Sequence, residues 1–243
     1  MRTLTFAKRN FKEIFRDPLN LSFLFGFPVV LLLLLSAIQA NIPVNMFEIQ
    51  HLAPGVAVFG LTFLTLFSAT VISKDRQSSF MHRLYTTPMT PVDFILGYTL
   101  PLIPIALAEG VATYIFAIIL RLEISINLLL SILFLVPIAL LYIGLGLLCG
   151  SVFNDKQVGG ICGALLTNVS AWLSGIWFDL ELVGGTFKKI AYALPFVHSV
   201  EMQRALILGD ISAALPHLWW VLGYAIAILA AAVLLFLRQM RRR

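Results

Sequence analysis

Lys74-Asp75-Arg76-Gln77-Ser78-Ser79-Phe80-Met81-His82-Arg83-Leu84-Tyr85-Thr86-Thr87-Pro88 interrupts two long apolar runs. As a helix it sets Phe80, Met81, Leu84 and Tyr85 in i, i+4 pairs on one face and turns Arg76, His82 and Arg83 elsewhere. A segment needed only to reverse the chain would tolerate any short polar sequence. This one places four large apolar side chains between charges and stops at a proline. Two readings follow: a helix that docks on a partner, or a surface helix lying among lipid headgroups.

The flanking runs set the class. The chain is 60% hydrophobic and 12% charged, about half the charged share of a soluble domain. Its apolar runs are long enough for about six helices that each cross a hydrocarbon core of about 30 Å. The expected fold is therefore all-α and integral to a membrane, a single transmembrane domain over residues 1–243. Spans are expected near residues 21–40, 52–73, 94–120, 127–152, 158–178 and 218–237. Pro101 and Pro104 predict a kink or tilt in the third, whose length exceeds the hydrocarbon thickness. No internal repeat or soluble domain is visible.

Residues 1–18 carry Leu4, Ala7, Phe11, Ile14 and Phe15 at helical spacing, with Lys8, Arg9, Lys12 and Arg16 on the remaining face and Pro18 closing the segment. That pattern predicts an amphipathic interfacial helix. Basic residues before an apolar run also describe a secretory signal, but no convincing small-x-small site follows at Ser36-Ala37-Ile38-Gln39-Ala40. The run is therefore expected to be a retained span. Residues 179–216 are too polar to cross lipid easily and repeat at helical spacing on either side of Pro195, which predicts one or two short helices at the outer surface.

Orientation follows from lysine and arginine. Placing both termini, residues 74–88 and the turn at Asn154-Asp155-Lys156 on the cytoplasmic side puts thirteen of the seventeen basic residues inside. Arg121, Lys188, Lys189 and Arg204 then lie outside. The net charge of +5 is read as this orientation signal, and nucleic acid is not an expected partner.

Glu109 is the carboxylate in the middle of a span, costly in lipid and so a candidate functional residue. Its plainer role is helix packing, hydrogen-bonded to a neighbour such as Tyr114 or a serine. Gly146 with Gly150, and Gly159 with Gly163, have the spacing of close helix contacts, within the subunit first and between subunits second. Cys149 and Cys162 show no CxxC or Cys/His spacing and are read as packing residues. The histidines form no metal motif, and His198 with Glu201 is a lone i, i+3 pair, so neither a metal site nor a catalytic residue is assigned. No GxxxxGK followed by Ser or Thr occurs, so any ATP hydrolysis belongs to another chain.

The basic amphipathic start, Ile72-Ser73-Lys74-Asp75-Arg76, the Arg83-Leu84-x-x-Thr87-Pro88 ending and Asp93-Phe94-Ile95-Leu96-Gly97 together resemble the permeases of ABC type-2 transporters. The Leu194-Pro195 and Arg204-Ala205-Leu206 stretches are similar to the outer helical element of that family. Where many members have an acidic residue and then a glycine-threonine pair, this chain has Lys74-Asp75-Arg76 and Ser78-Ser79. The resemblance implies a cytoplasmic coupling helix at residues 74–88, with Phe80, Met81, Leu84 and Tyr85 in an ATPase groove and Arg76 and Arg83 at its rim.

It further implies a separate ABC ATPase carrying ATP and Mg, and no cofactor in this chain. A second permease copy, identical or paralogous, and membrane lipids complete the expected partners. Together they would export a drug, lipid, peptide or glycan across the cytoplasmic membrane. Two other classes are weighed. An ion-coupled secondary transporter using Glu109 would show related halves and matching broken helices, and a membrane enzyme would show convergent His, Asp, Glu or Ser groups. The sequence shows neither.

Overall fold

The computed structural model describes residues 2–43, 47–78 and 89–241, and these form helices and no strand. Among the described residues five helical stretches are long and apolar enough to cross a membrane: Pro18–Gln39, Ile49–Gln77, Val92–Ile119, Ile126–Val152 and Ile211–Arg238.

The chain opens with α1 (Arg2–Ile14), whose inner face buries Phe6, Ala7, Asn10 and Ile14. Leu4, Phe11 and Phe15, grouped by spacing with the inner face, point outward instead. The helix thus has two apolar faces, one on protein and one free to enter lipid. Asp17 caps α2 (Pro18–Gln39) by accepting from the Asn20 amide at 3.2 Å. Only Leu24, Pro28 and Leu32 of α2 are buried, which places it at the rim of the bundle.

At the centre stands α3 (Ile49–Gln77), buried along nearly its whole length. Its 29 residues reach about 43 Å at about 1.5 Å per residue. Its amino end carries the contact to Arg204 and its carboxyl end the contact to Arg9, so the two ends of the bundle are chemically distinct.

The third span is broken, as the prolines predict. A capping box in which Thr90 and Asp93 exchange hydrogen bonds starts α4 (Pro91–Thr99), and α5 (Leu102–Ile119) resumes past Pro101. The fourth is also in two pieces, α6 (Ile126–Leu133) and α7 (Leu135–Val152). Pro137 explains the join, because a proline in the first turn of α7 offers no N–H to continue the ladder of α6.

The stretch expected as the fifth span runs as α8 (Asp155–Val158), a π-helix (Gly159–Leu166) and α9 (Thr167–Leu173). The helical part therefore stops at Leu173 rather than near Phe178. Its wide turn is bridged by the Thr167 hydroxyl, which donates to the Cys162 carbonyl at 2.9 Å. Three short helices follow, α10 (Leu180–Val183), α11 (Gly185–Ala193) and α12 (Pro195–Ile207). Pro195 opens α12, which is buried over most of its inner face against α3, α6 and α13.

The chain ends in α13 (Ile211–Arg241), capped by Asp210, which accepts from the Ala213 amide at 3.0 Å and the Ser212 hydroxyl at 2.6 Å. This helix begins seven residues before the expected span, and its first turns meet α12 through Ala214, which is buried, and His217, while Ile211, Leu215 and Trp219 stay exposed. At the core α7 packs between α3 on one side and α13 on the other. At Gly146 a Cβ would stand 1.8 Å from Ser68 Oγ and 2.4 Å from the Thr65 carbonyl, and at Gly150 it would stand 2.6 Å from the Ala69 carbonyl. These two glycines let α7 lie backbone to backbone on α3. Gly163 meets Leu66, whereas Gly159 faces open space.

Candidate functional site

Residues 79–88, with Phe80, Met81, Arg83, Leu84 and Tyr85, lie outside the described residues, but both flanks of that segment are on view. On the upstream flank Asp75 is buried, 5% exposed, and receives a two-pronged ion pair from Arg9 at 2.6 and 2.8 Å. The Tyr98 hydroxyl donates a third hydrogen bond to it at 2.9 Å. Arg9 also donates to Asn10 at 2.9 Å, and Asn10 donates to the Gly97 carbonyl at 3.0 Å. Burial alone would lower the Arg9 pKa, but the hydrogen bond and charge of Asp75 outweigh it and raise the value.

This cluster joins α1 to the last turn of α3 and to α4, the helices on either side of residues 79–88. Phe6 adds edge-on contacts to Tyr98 at 4.9 Å and Phe94 at 5.8 Å, and Thr3 donates to Asp93. A fork aligned on a carboxylate, with aromatic walls around it, holds one geometry firmly. Nearby, Lys74 lies 3.9 Å from Asp17, and Ser73 donates to Asp155 at 3.3 Å, which extends the junction to α2 and α8.

Arg76 points back into the bundle. Its guanidinium donates to the Gly150 carbonyl at 2.7 Å and the Phe153 carbonyl at 3.5 Å, at the carboxyl end of α7. That position suits a cation, since the last carbonyls of a helix lack internal partners and carry partial negative charge. The family resemblance implied a place for Arg76 at the rim of an ATPase groove. The structure uses it to fasten α3 to α7 immediately before the segment.

Glu109 is fully buried in α5 against Gly60 of α3, where a Cβ would come within 2.0 Å of Oε1. The Thr113 hydroxyl donates to Oε1 at 2.9 Å, and Oε2 has no hydrogen-bond partner. Among the described residues neither Tyr114 nor a serine bonds it. Tyr114 instead meets Ser131 at 2.6 Å and donates to Gln203 at 3.3 Å, while Gln203 donates to the Ser131 carbonyl at 3.2 Å. This network pins α12 to α5 and α6.

A packing role for Glu109 makes a definite demand. Glu109→Gln keeps the shape and an acceptor for Thr113, so expression and transport are expected to stay near wild type. Transport lost with partner binding intact, together with a changed pH dependence, would show an ionisable function instead.

At the other end of the bundle His198 pairs with His217, not with Glu201. Their Nδ1 atoms are 2.8 Å apart, and His198 Nε2 donates to the Tyr192 carbonyl at 3.0 Å, so a proton on His217 serves the first contact. Burial, the larger influence, lowers the His198 pKa. Glu201 bonds Arg204 at 2.9 Å. Among the described residues no group of three or more His, Cys, Asp or Glu side chains is placed to hold a metal ion. Cys149 and Cys162 are free and share a small apolar cluster with Ala69 and Val158.

Sequence reasoning missed Arg9 with Asp75, Tyr98, Gln203 and the His198–His217 contact. Asp75 had a signal, a carboxylate inside the basic exit of an apolar run. The others join residues far apart in the chain and had none.

The fold and its polar junctions define a multi-pass helical membrane protein whose internal ion pair is concentrated beside one loop. The ABC-2 type transporter family model matches residues 1–208, and the chain belongs to that family. It is a transmembrane permease component of an ABC transporter, and the family works in general with an ABC ATPase. No curated protein matches it.

Proposed function

We propose that this chain is the membrane subunit of an exporter, with six spans, both termini in the cytoplasm and residues 79–88 docked on a separate ATPase, residues 74–77 being the last turn of α3 that anchors them. The observation that carries the coupling role is the Arg9–Asp75–Tyr98 cluster. A push on residues 79–88 meets α3 upstream and α4 downstream, and both are tied to α1 at the same carboxylate. Arg76 passes the same displacement to α7. Movement at the loop would therefore reach four helices as a unit rather than bending one of them.

The span that completes the six in this reading is the fifth in chain order, the α8, π and α9 stretch, which is mainly apolar from Val158 to Leu173. A π turn inside a span is a place where helix register can shift. Two copies of the permease, or this chain and a paralogue, would enclose the path between them. ATP and Mg belong to the ATPase, and the permease performs no covalent chemistry. Glu109 acts in packing α5 on Gly60.

The topology tests the proposal. With Cys149 and Cys162 replaced by serine, Lys188→Cys is expected to react with an impermeant thiol reagent in intact cells, and His82→Cys only after permeabilisation. Labelling of position 82 but not 188 in intact cells would invert the assignment.

A further inference from the structure

The end of the bundle away from α1 contains a cavity of about 510 Å³ between the amino end of α3, residues 175–182, α11 and α12. That volume is in the range of sites for drug-sized molecules. Trp177, Phe178 and Tyr192 line part of its wall. Trp177 is set by an edge contact to Phe59 at 5.5 Å, and Phe178 by a contact to Phe187 at 6.2 Å.

The polar part of the lining is strongly one-sided. Glu48, Asp179 and Glu201 contribute three carboxylates, against the guanidinium of Arg204 and the His51 imidazole. Each nitrogen of Arg204 makes one bond: Nη1 donates to Glu201 at 2.9 Å, Nη2 to the Gly175 carbonyl at 3.0 Å and Nε to the His51 carbonyl at 3.3 Å. It therefore neutralises Glu201 and spends three of its five N–H donors inside the wall. Asp179 accepts one amide hydrogen bond from Glu181, and Glu48 makes no side-chain bond to cap its own helix. Glu48 and Asp179, both solvent-exposed, thus border a cavity with aromatic walls, and Lys188, outside the lining and paired with Glu181, lies over the Tyr192 ring at 5.8 Å; the lining itself favours positive charge attached to apolar surface.

We propose that this cavity binds amphipathic organic cations and is the outer station of the transport path. The cation's charge lies between Glu48 and Asp179 while its apolar groups rest on Trp177, Phe178 and Tyr192. Arg204 acts as a strut that fixes the floor by joining α12 to the backbone of residues 51 and 175. The assignment deepens the permease reading and rests on it for its physiological meaning. The binding itself needs neither ATP nor the ATPase.

Equilibrium binding of tetraphenylphosphonium to the full chain in nanodiscs of neutral lipid, corrected for empty discs, tests it. Saturable binding is expected, weakened by salt and at least tenfold tighter than for tetraphenylborate, whose shape is the same and charge opposite. Glu48→Gln and Asp179→Asn should each weaken binding by up to about fivefold, and together by about tenfold, the scale of partly solvated charge contacts. Glu123→Gln, an exposed carboxylate outside the cavity, should leave it unchanged. Equal binding of the anion, no saturable binding, or insensitivity to both cavity substitutions in chains that elute as wild type would overturn the proposal. Binding retained without any ATP-driven transport would count against the permease reading alone.

Discussion

Asp75→Ala is expected to abolish ATP-driven transport and to lower thermal stability clearly. The variant leaves the Arg9 fork without its carboxylate and removes the acceptor of the Tyr98 hydroxyl. Breaking a buried pair by removing one partner costs about 3–5 kcal/mol. The Arg9 side chain is 35% exposed, so water screens part of that loss and about 3 kcal/mol is the better figure. Arg9→Ala should cost at least as much, because it leaves the charge that is the more deeply enclosed of the two. Asp75→Asn should fall between, retaining an acceptor for Tyr98 but not the charge. Thermal unfolding in detergent and uptake into inverted vesicles measure both effects. Wild-type stability and transport in Asp75→Ala would remove the cluster from the coupling path.

Leu84→Asp and Phe80→Asp are expected to separate transport from folding. Each places a carboxylate on the face that the i, i+4 spacing assigns to an apolar groove. A charge buried there without a partner costs at least about 3 kcal/mol of association, equivalent to about a hundredfold in affinity. The permease should insert and elute normally, since neither residue belongs to an apolar span. ATPase copurification and transport should both fall. A variant that copurifies and transports as wild type would show that the face does not dock.

What the sequence made legible was set by local chemistry. Apolar runs fixed five spanning stretches because a hydrocarbon core leaves few alternatives, and Pro101 marked the break in the third. Pro137 carried the same signal for the α6–α7 join and was passed over inside a uniformly apolar run. The π turn at Gly159–Leu166 was not legible, because α and π hydrogen bonding serve the same apolar residues. The face of α1 was read from spacing as a single stripe. The structure divides it, since Phe6 and Asn10 find partners on α4 that spacing within α1 cannot reveal.

The candidate site divides along the same line. Residues 74–88 were singled out from their own pattern. The cluster that would give them mechanical purchase was not, because Arg9, Asp75 and Tyr98 come from three separate segments. The outer cavity is the extreme case. Glu48, Asp179, Glu201 and Arg204 are dispersed over more than half of the chain, and only the packing of α12 beside the amino end of α3 gathers them.

Photo-crosslinking from position 84 tests the central claim most directly. With p-benzoylphenylalanine in place of Leu84, irradiation of membranes containing the permease and its ATPase should give an adduct of the two chains. The same group at position 188 should give none. An adduct from position 188, or only lipid adducts from position 84 in membranes where the ATPase is present and active, would contradict the coupling role of residues 74–88.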